Sequence, residues 1–170
     1  MQQKKMSFEC GAKELYNPYN DPIEKEANGF ASGLLMPRRL ISANFDGHIT
    51  WHNIHLLSQL CDASLEAVYR RISSLEKSPT ALIIHKNGTF KRFVPSPNFD
   101  FFIEQSPLSY EQKAFAVDIK EEAYPSGFET VDASHWVNPK SNGLYLESVY
   151  TSTIILEEGY SYTILSYDDD

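Results

Sequence analysis

The chain has almost no cysteine. Its two thiols, Cys10 and Cys61, lie far apart and form no Cys-x-x-Cys pair, which argues against a disulfide framework and against a cysteine-based zinc ribbon. No stretch approaches the roughly 18 uninterrupted apolar residues that a membrane helix needs, and the amino terminus MQQKKMSFEC lacks the apolar run of a signal peptide. We therefore expect a cytoplasmic protein with reduced thiols and no membrane partner.

Basic residues are scarce in the last part of the sequence. Residues 1–37 carry four basic and five acidic side chains (−1), residues 38–95 carry eight and four (+4), and residues 96–170 carry three and fourteen (−11), which together give the net charge of −8. This balance argues against a general nucleic-acid coat protein. The uneven spread of charge indicates three functional segments, although a solvated surface would give the same counts.

The clearest element is the segment DPIEKEANGFASGLLMP. Asp21 is a good N-cap, Pro22 suits the first helical position, and Glu24 lies three residues after the cap, as in a capping box. Pro37 disfavours a helical conformation at Met36. The spacing predicts a helix from Pro22 to Leu35 with a single apolar side, formed by Ala27, Phe30, Ala31, Leu34 and Leu35.

Two further helices and a hairpin are predicted in the middle of the chain. TWHNIHLLSQL has apolar residues at three-residue steps, and Ser64 caps LEAVYRRISSL after a short break. ALIIH and TFKRFV flank the turn dipeptide Asn87-Gly88, which is typical of a type I′ β-hairpin. Helix, turn, helix and hairpin are the outline of a winged-helix unit.

The carboxy-terminal part reads as β structure after a linker at PSPNF. LYLESVYTSTIIL and YSYTILSY are rich in β-branched and aromatic residues, so we expect them to pair antiparallel. The predicted fold class is α+β, with three domains: a helical segment at 1–40, a winged helix-turn-helix-like segment at 41–95 and an antiparallel β segment at 96–170.

EKEANGFASGLLMP resembles the second motif of the ImmA/IrrE family of zinc metallopeptidases, Glu-x-x-Ala-Asn/Asp-x-Phe-Ala-x-x-Leu-Leu-Met-Pro. The resemblance implies a truncated zincin-like helical core over residues 1–40. It also implies that Glu24 is the third zinc ligand, and Asn28, one helical turn on, would orient it by a hydrogen bond. LLSQLCDASLEAVYRRISSL, DASHWV, LYLESV and YSYTILSY are similar to later parts of the family at lower specificity.

The sequence departs from the family in one respect. The family's other two ligands and its general base lie on a His-Glu-x-x-His helix, and this chain has no such motif and no histidine before His48. We expect that helix directly upstream of Met1, encoded in frame in the complete gene, so that no zinc is bound tightly by the 170 residues alone.

His52 and His55 share a helical side, but no acid lies between them and ordinary packing explains them better. His85 and His135 are expected at a strand end and in a loop.

Two features of the sequence each have two interpretations. Glu24 is explained either as a zinc ligand or as the capping residue of its helix. Arg70 and Arg71, with basic residues on the hairpin, would meet DNA phosphates if the second helix entered a major groove, but Glu66 at the start of that helix would repel phosphate. We therefore do not favour DNA binding.

The resemblance implies a regulatory protease of bacteria or phages that cleaves a helix-turn-helix repressor by zinc-dependent hydrolysis. The alternatives are a non-catalytic regulatory or protein-binding module on the same scaffold and a winged-helix DNA-binding protein.

Overall fold

The computed structural model describes residues 22–138 and 145–168, and it has the predicted α+β composition. The described part contains five α-helices and six strands, with two short 3-10 helices at Ala133–His135 and Glu157–Gly159. The helices are α1 (Pro22–Leu35), α2 (Arg38–Asn44), α3 (Trp51–Cys61), α4 (Leu65–Ser73) and α5 (Tyr110–Lys113). The strands are β1 (Thr80–Lys86), β2 (Thr89–Pro95), β3 (Val117–Asp118), β4 (Glu129–Asp132), β5 (Ser148–Ile155) and β6 (Tyr160–Ser166).

Helices α3 and α4 lie where the sequence predicts them. The Thr50 hydroxyl accepts a hydrogen bond from the Asn53 amide (3.2 Å), and the Ser64 hydroxyl accepts one from Ala67 (3.2 Å), so both helices begin with a side-chain cap. Asp62 adopts a left-handed conformation (φ 49°) that ends α3 and reverses the chain. The tight turn between them brings the apolar sides of both helices onto one core.

The predicted hairpin is formed by β1 and β2 and is part of a larger sheet. The Asn87-Gly88 turn has positive φ at both residues (50° and 73°), as a type I′ turn requires. On its other side β1 pairs along its whole length with β6, antiparallel, and the strand order is β2-β1-β6-β5-β3, with β4 also on β5. The β3–β5 pair is parallel and the other pairs are antiparallel. The domain boundary expected between residues 95 and 96 stays a prediction, and the sheet is continuous across it.

The sheet is covered on both faces. Helices α3 and α4 cover one face, where Trp51, Ile54, Leu57, Val68, Tyr69 and Ile72 pack on Leu82, Ile84, Ile154 and Ile164. The other face carries Ala81, Ile83, Val149 and Leu165, and it is covered by irregular chain that contributes Phe99, Phe101, Ile103, Leu108 and Trp136. The described residues therefore form helix, sheet and irregular layers around two apolar clusters.

The large apolar side chains of α1 that the structure describes face solvent. Phe30, Leu34 and Leu35 are 70%, 66% and 60% exposed, while Met36, just past the helix, is 2% exposed. The described carboxy-terminal half of α1 therefore exposes these three side chains, and the chain enters the core at Met36, directly after the helix. In the described ranges, no helix has the length and apolar character to span a membrane.

Candidate functional site

The motif EKEANGFASGLLMP lies on α1 with the predicted helix bounds, Pro22–Leu35. The backbone places Glu24 in the first turn and Asn28 one turn later. Asp21 and the side chains of Glu24 and Asn28 lie outside the described residues, so both the capping box and the ligand assignment remain predictions.

The carboxy-terminal end of α1 is held against α4. The Met36 amide donates to the Ser32 carbonyl (2.8 Å), and the Arg71 Nε donates to the Met36 carbonyl (3.0 Å). Helices α1 and α4 leave a groove of about 620 Å³ between them, with Leu35, Met36, Ala63 and Ala67 among its apolar lining. The motif helix is thus attached at one end and borders an open apolar groove.

Glu66 joins α4 to the edge strand β2. Its carboxylate accepts hydrogen bonds from Arg70 (2.8 Å) on the same helix and from Arg92 (2.6 Å) on β2. Burial acts to raise the pKa of Glu66, but the hydrogen bonds from Arg92 and Arg70 outweigh it and the pKa is lowered. Glu66 is therefore charged and compensated within the protein.

This arrangement gives both arginines proposed as phosphate contacts an intramolecular role. Arg70 pairs with Glu66, and Arg71 binds the Met36 carbonyl. From the sequence alone, Glu66 was interpreted only as a group that repels phosphate. The four-residue spacing of Glu66 and Arg70 predicts an ion pair on the helix. The contact between Glu66 and Arg92 could not be predicted in this way, because Arg92 lies 26 residues further along the chain.

The five histidines do not lie together in one site. His48 and His52 are exposed and line a pocket of about 410 Å³ at the start of α3, whereas His55 stacks on Tyr124 with ring centroids 4.0 Å apart. His85 is buried in β1, near the predicted strand end, and His135 is exposed at the end of a 3-10 helix. No three His, Cys, Asp or Glu side chains are grouped to hold a metal ion in the described ranges.

The comparison with protein families decides the assignment of the amino-terminal part. The family model described as Peptidase_M78, the IrrE N-terminal-like domain, matches residues 1–73. This stretch belongs to the ImmA/IrrE family. The match runs through α1, α2, α3 and α4 and confirms the resemblance stated from EKEANGFASGLLMP. No curated protein matches the chain significantly.

The ImmA/IrrE family is one of zinc metallopeptidases, so the described residues can be tested against a zinc site. A catalytic zinc needs three protein ligands and one open position. Residues 22–138 and 145–168 bring no such set together, and Glu24 would add one ligand. These residues do not make a zinc site by themselves.

Proposed function

We propose that this protein is an ImmA/IrrE-like metallo-endopeptidase that acts in bacterial or phage regulation, in the cytoplasm, by cleaving a repressor-type protein. The observation that carries the proposal is the family match over residues 1–73, together with a motif helix whose bounds follow the family pattern, Pro22–Leu35. The substrate class and the regulatory setting come from the family resemblance.

In this proposal Glu24 supplies one zinc ligand and Asn28 orients it. Helix α1 fixes the position of both residues, and its carboxy-terminal end is anchored by the contact between Arg71 and Met36. The remaining ligands and the general base must come from a His-Glu-x-x-His helix that is not among these 170 residues. Zinc, when bound, would activate water for attack on a peptide carbonyl.

Metal analysis of purified protein tests this assignment. The 170-residue chain is expected to hold well under one zinc per molecule, because a single carboxylate does not form a tetrahedral site. In a form that also carries the His-Glu-x-x-His helix, one zinc per molecule and peptidase activity are expected. Glu24→Gln should remove both, and Glu26→Gln, an exposed carboxylate on the same helix, is the matched control. One zinc per 170-residue chain, lost on Glu24→Gln, would instead point to the later histidines.

A second candidate function is a non-catalytic protein-binding module on the same scaffold. It is favoured by the exposed apolar side of α1 and the apolar groove beside it, since surfaces of this kind serve in protein contacts. The two proposals differ in their response to Glu24→Gln. If the gene encodes no His-Glu-x-x-His helix and Glu24→Gln leaves the regulatory effect in cells unchanged, the binding module is correct and the peptidase assignment fails.

A further inference from the structure

The two edges of the sheet differ in how they are protected. In the described part of the chain β2 forms one edge, and β3 and β4 both lie on the far side of β5 and form the other. An open edge strand can pair with another chain, and natural proteins guard such strands with basic residues and proline. Strand β2 has both, since Lys91 is exposed and Pro95 ends the strand. Strand β4 has neither, so its edge is the one suited to pairing.

The outward backbone groups of β4 belong to Thr130 and Asp132. Hydrogen-bonded residues alternate along an antiparallel pair, and just past β4 the Ala133 amide donates to the Glu147 carbonyl (3.1 Å). The alternation therefore directs the N–H and C=O groups of Val131 toward β5 and those of Thr130 and Asp132 away from it. Both outward residues are exposed, and no group in the described part of the chain bonds to their outward backbone.

A groove beside this edge has room for the side chains of an added strand. It has a volume of about 410 Å³ and lies between β4 and α5, with Phe115 and Val131 among its apolar lining. Phe115 is 58% exposed, and Tyr110, which also lines the groove, is 85% exposed. Sites that bind an extended segment combine an open strand edge with pockets for alternate side chains. The edge and the groove together have this form.

The charges at this edge favour a basic occupant. Glu129 and Asp132 on β4 and Glu111 on α5 are exposed, and none of them forms an ion pair with a lysine or arginine in the described ranges. Hydrogen bonds from the Ser134 hydroxyl and amide hold the pKa of the Asp132 carboxyl below its ordinary value, so it is charged at neutral pH. A second copy of β4 would bring four carboxylates onto one strand pair, and like charges across strands oppose pairing. Lysine or arginine would meet opposite charge instead.

We infer that the open edge of β4 binds an extended, basic segment of a partner protein as an additional strand. The backbone of this segment pairs with Thr130 and Asp132. Its lysine or arginine side chains meet the carboxylates of Glu129, Asp132 and Glu111, and an apolar side chain between them enters the groove beside Phe115. The site makes no use of α1, so the inference holds whether or not the protein is a peptidase.

Binding of a labelled, end-blocked heptapeptide of alternating Lys and Val to the full chain tests this site. Fluorescence anisotropy should show saturable binding. A peptide whose central Val is replaced by Pro should bind about tenfold more weakly, because proline cannot donate to the ladder. A peptide of alternating Glu and Val should not bind. Absence of binding by the Lys peptide, or equal binding by the Pro or Glu peptide, would overturn the inference.

Substitutions in β4 separate strand pairing from general attraction between charges. Thr130→Pro removes an outward N–H and should weaken binding of the Lys peptide about tenfold, whereas Thr130→Val keeps that N–H and should not. Glu129→Gln with Asp132→Asn should also weaken binding about tenfold. The control pair Glu26→Gln with Asp100→Asn removes two exposed charges from other parts of the chain and should change binding little. Equal losses in the two pairs would overturn the assignment to β4.

Amide chemical shifts locate the bound peptide and show that each variant is folded. The largest changes are expected along β4 and at Phe115. Changes concentrated on β2 would place the peptide at the opposite edge and overturn the inference. Sedimentation of the chain without peptide tests the remaining occupant, since self-association that is lost in Thr130→Pro would show that a second copy pairs with β4 instead.

Discussion

At the scale of single residues, His85 is a titratable group buried in β1. It is 1% exposed, its ring contacts the edge of Phe90, and its Nδ1 finds no hydrogen-bond partner among the described residues. Burial lowers the pKa of His85, nearby Lys113 lowers it further, and a hydrogen bond to the Ser106 backbone only partly opposes them. The folded protein therefore favours the neutral imidazole.

This environment predicts acid sensitivity. At pH values above about 6.5 His85 is neutral in the folded and unfolded states, so it has no pH-dependent effect. As the pH falls below that value the unfolded state takes up the proton first, and the free energy of unfolding should fall by at most about 1.4 kcal/mol per pH unit from this group. Urea unfolding between pH 5 and 8 measures the slope. His85→Leu should flatten it and His135→Gln, at an exposed histidine, should not; an unchanged slope in His85→Leu would contradict the assignment.

At the scale of elements, the two arginines of α4 that would otherwise face DNA are engaged within the protein. We expect no micromolar binding of duplex DNA at physiological salt, because Arg70 and Arg71 are engaged with Glu66 and Met36. Arg70→Ala with Arg71→Ala should instead lower the free energy of unfolding by roughly 1 kcal/mol, because it removes the Arg71 hydrogen bond to the Met36 carbonyl and the Arg70 ion pair with Glu66. Lys91→Ala, at an exposed position of β2, is the control and should change stability little.

Fluorescence anisotropy with labelled duplexes of unrelated sequence, over a range of salt concentrations, measures the binding. Micromolar affinity with a steep salt dependence, lost equally for all sequences in the double variant, would show that these arginines contact phosphate after all.

The elements that could be predicted from sequence are those with local signals. Ser64 marked the start of α4, Asn87-Gly88 marked the hairpin, and the β-branched and aromatic residues of YSYTILSY marked β6. Short elements such as β3 and α5 were missed, because two and four residues carry too little periodicity. The exposure of Phe30, Leu34 and Leu35 on α1 could not be predicted, since periodicity shows that a helix has an apolar side but not where that side points.

The candidate site was predictable only in part, for the same reason. Local spacing was enough to place Glu24 and Asn28 on one helix. The contact of Arg71 with the Met36 carbonyl and that of Arg92 with Glu66 join residues 35 and 26 positions apart. Such contacts depend on how whole elements pack, and a single sequence carries no local trace of them.

At the scale of the whole molecule, the pairing of β1 with β6 makes the middle of the chain depend on its last strand. Seven residue pairs join Thr80–Lys86 to Tyr160–Ser166, and Ile164 belongs to the core under α3 and α4. A fragment of residues 1–95 should therefore fail to fold, although it contains the complete helix pair and hairpin. Circular dichroism and amide NMR dispersion would show this. A fragment of residues 1–168 is the control and should fold, and a well-dispersed spectrum from residues 1–95 would mean that the middle segment is an independent domain.

The same pairing sets the order of events during synthesis. When β1 leaves the ribosome, its neighbour β2 follows within a few residues, but β6 emerges more than 70 residues later. Until β6 has been synthesised, the amide and carbonyl groups on one edge of β1 have no strand to pair with. At about 5–20 residues per second the wait lasts seconds, long enough for aggregation or chaperone capture to compete with folding. Contacts between segments so distant in sequence also slow folding once the chain is complete. Ile83 and Ile84 lie on β1, so aggregation of the nascent chain is expected first at this strand.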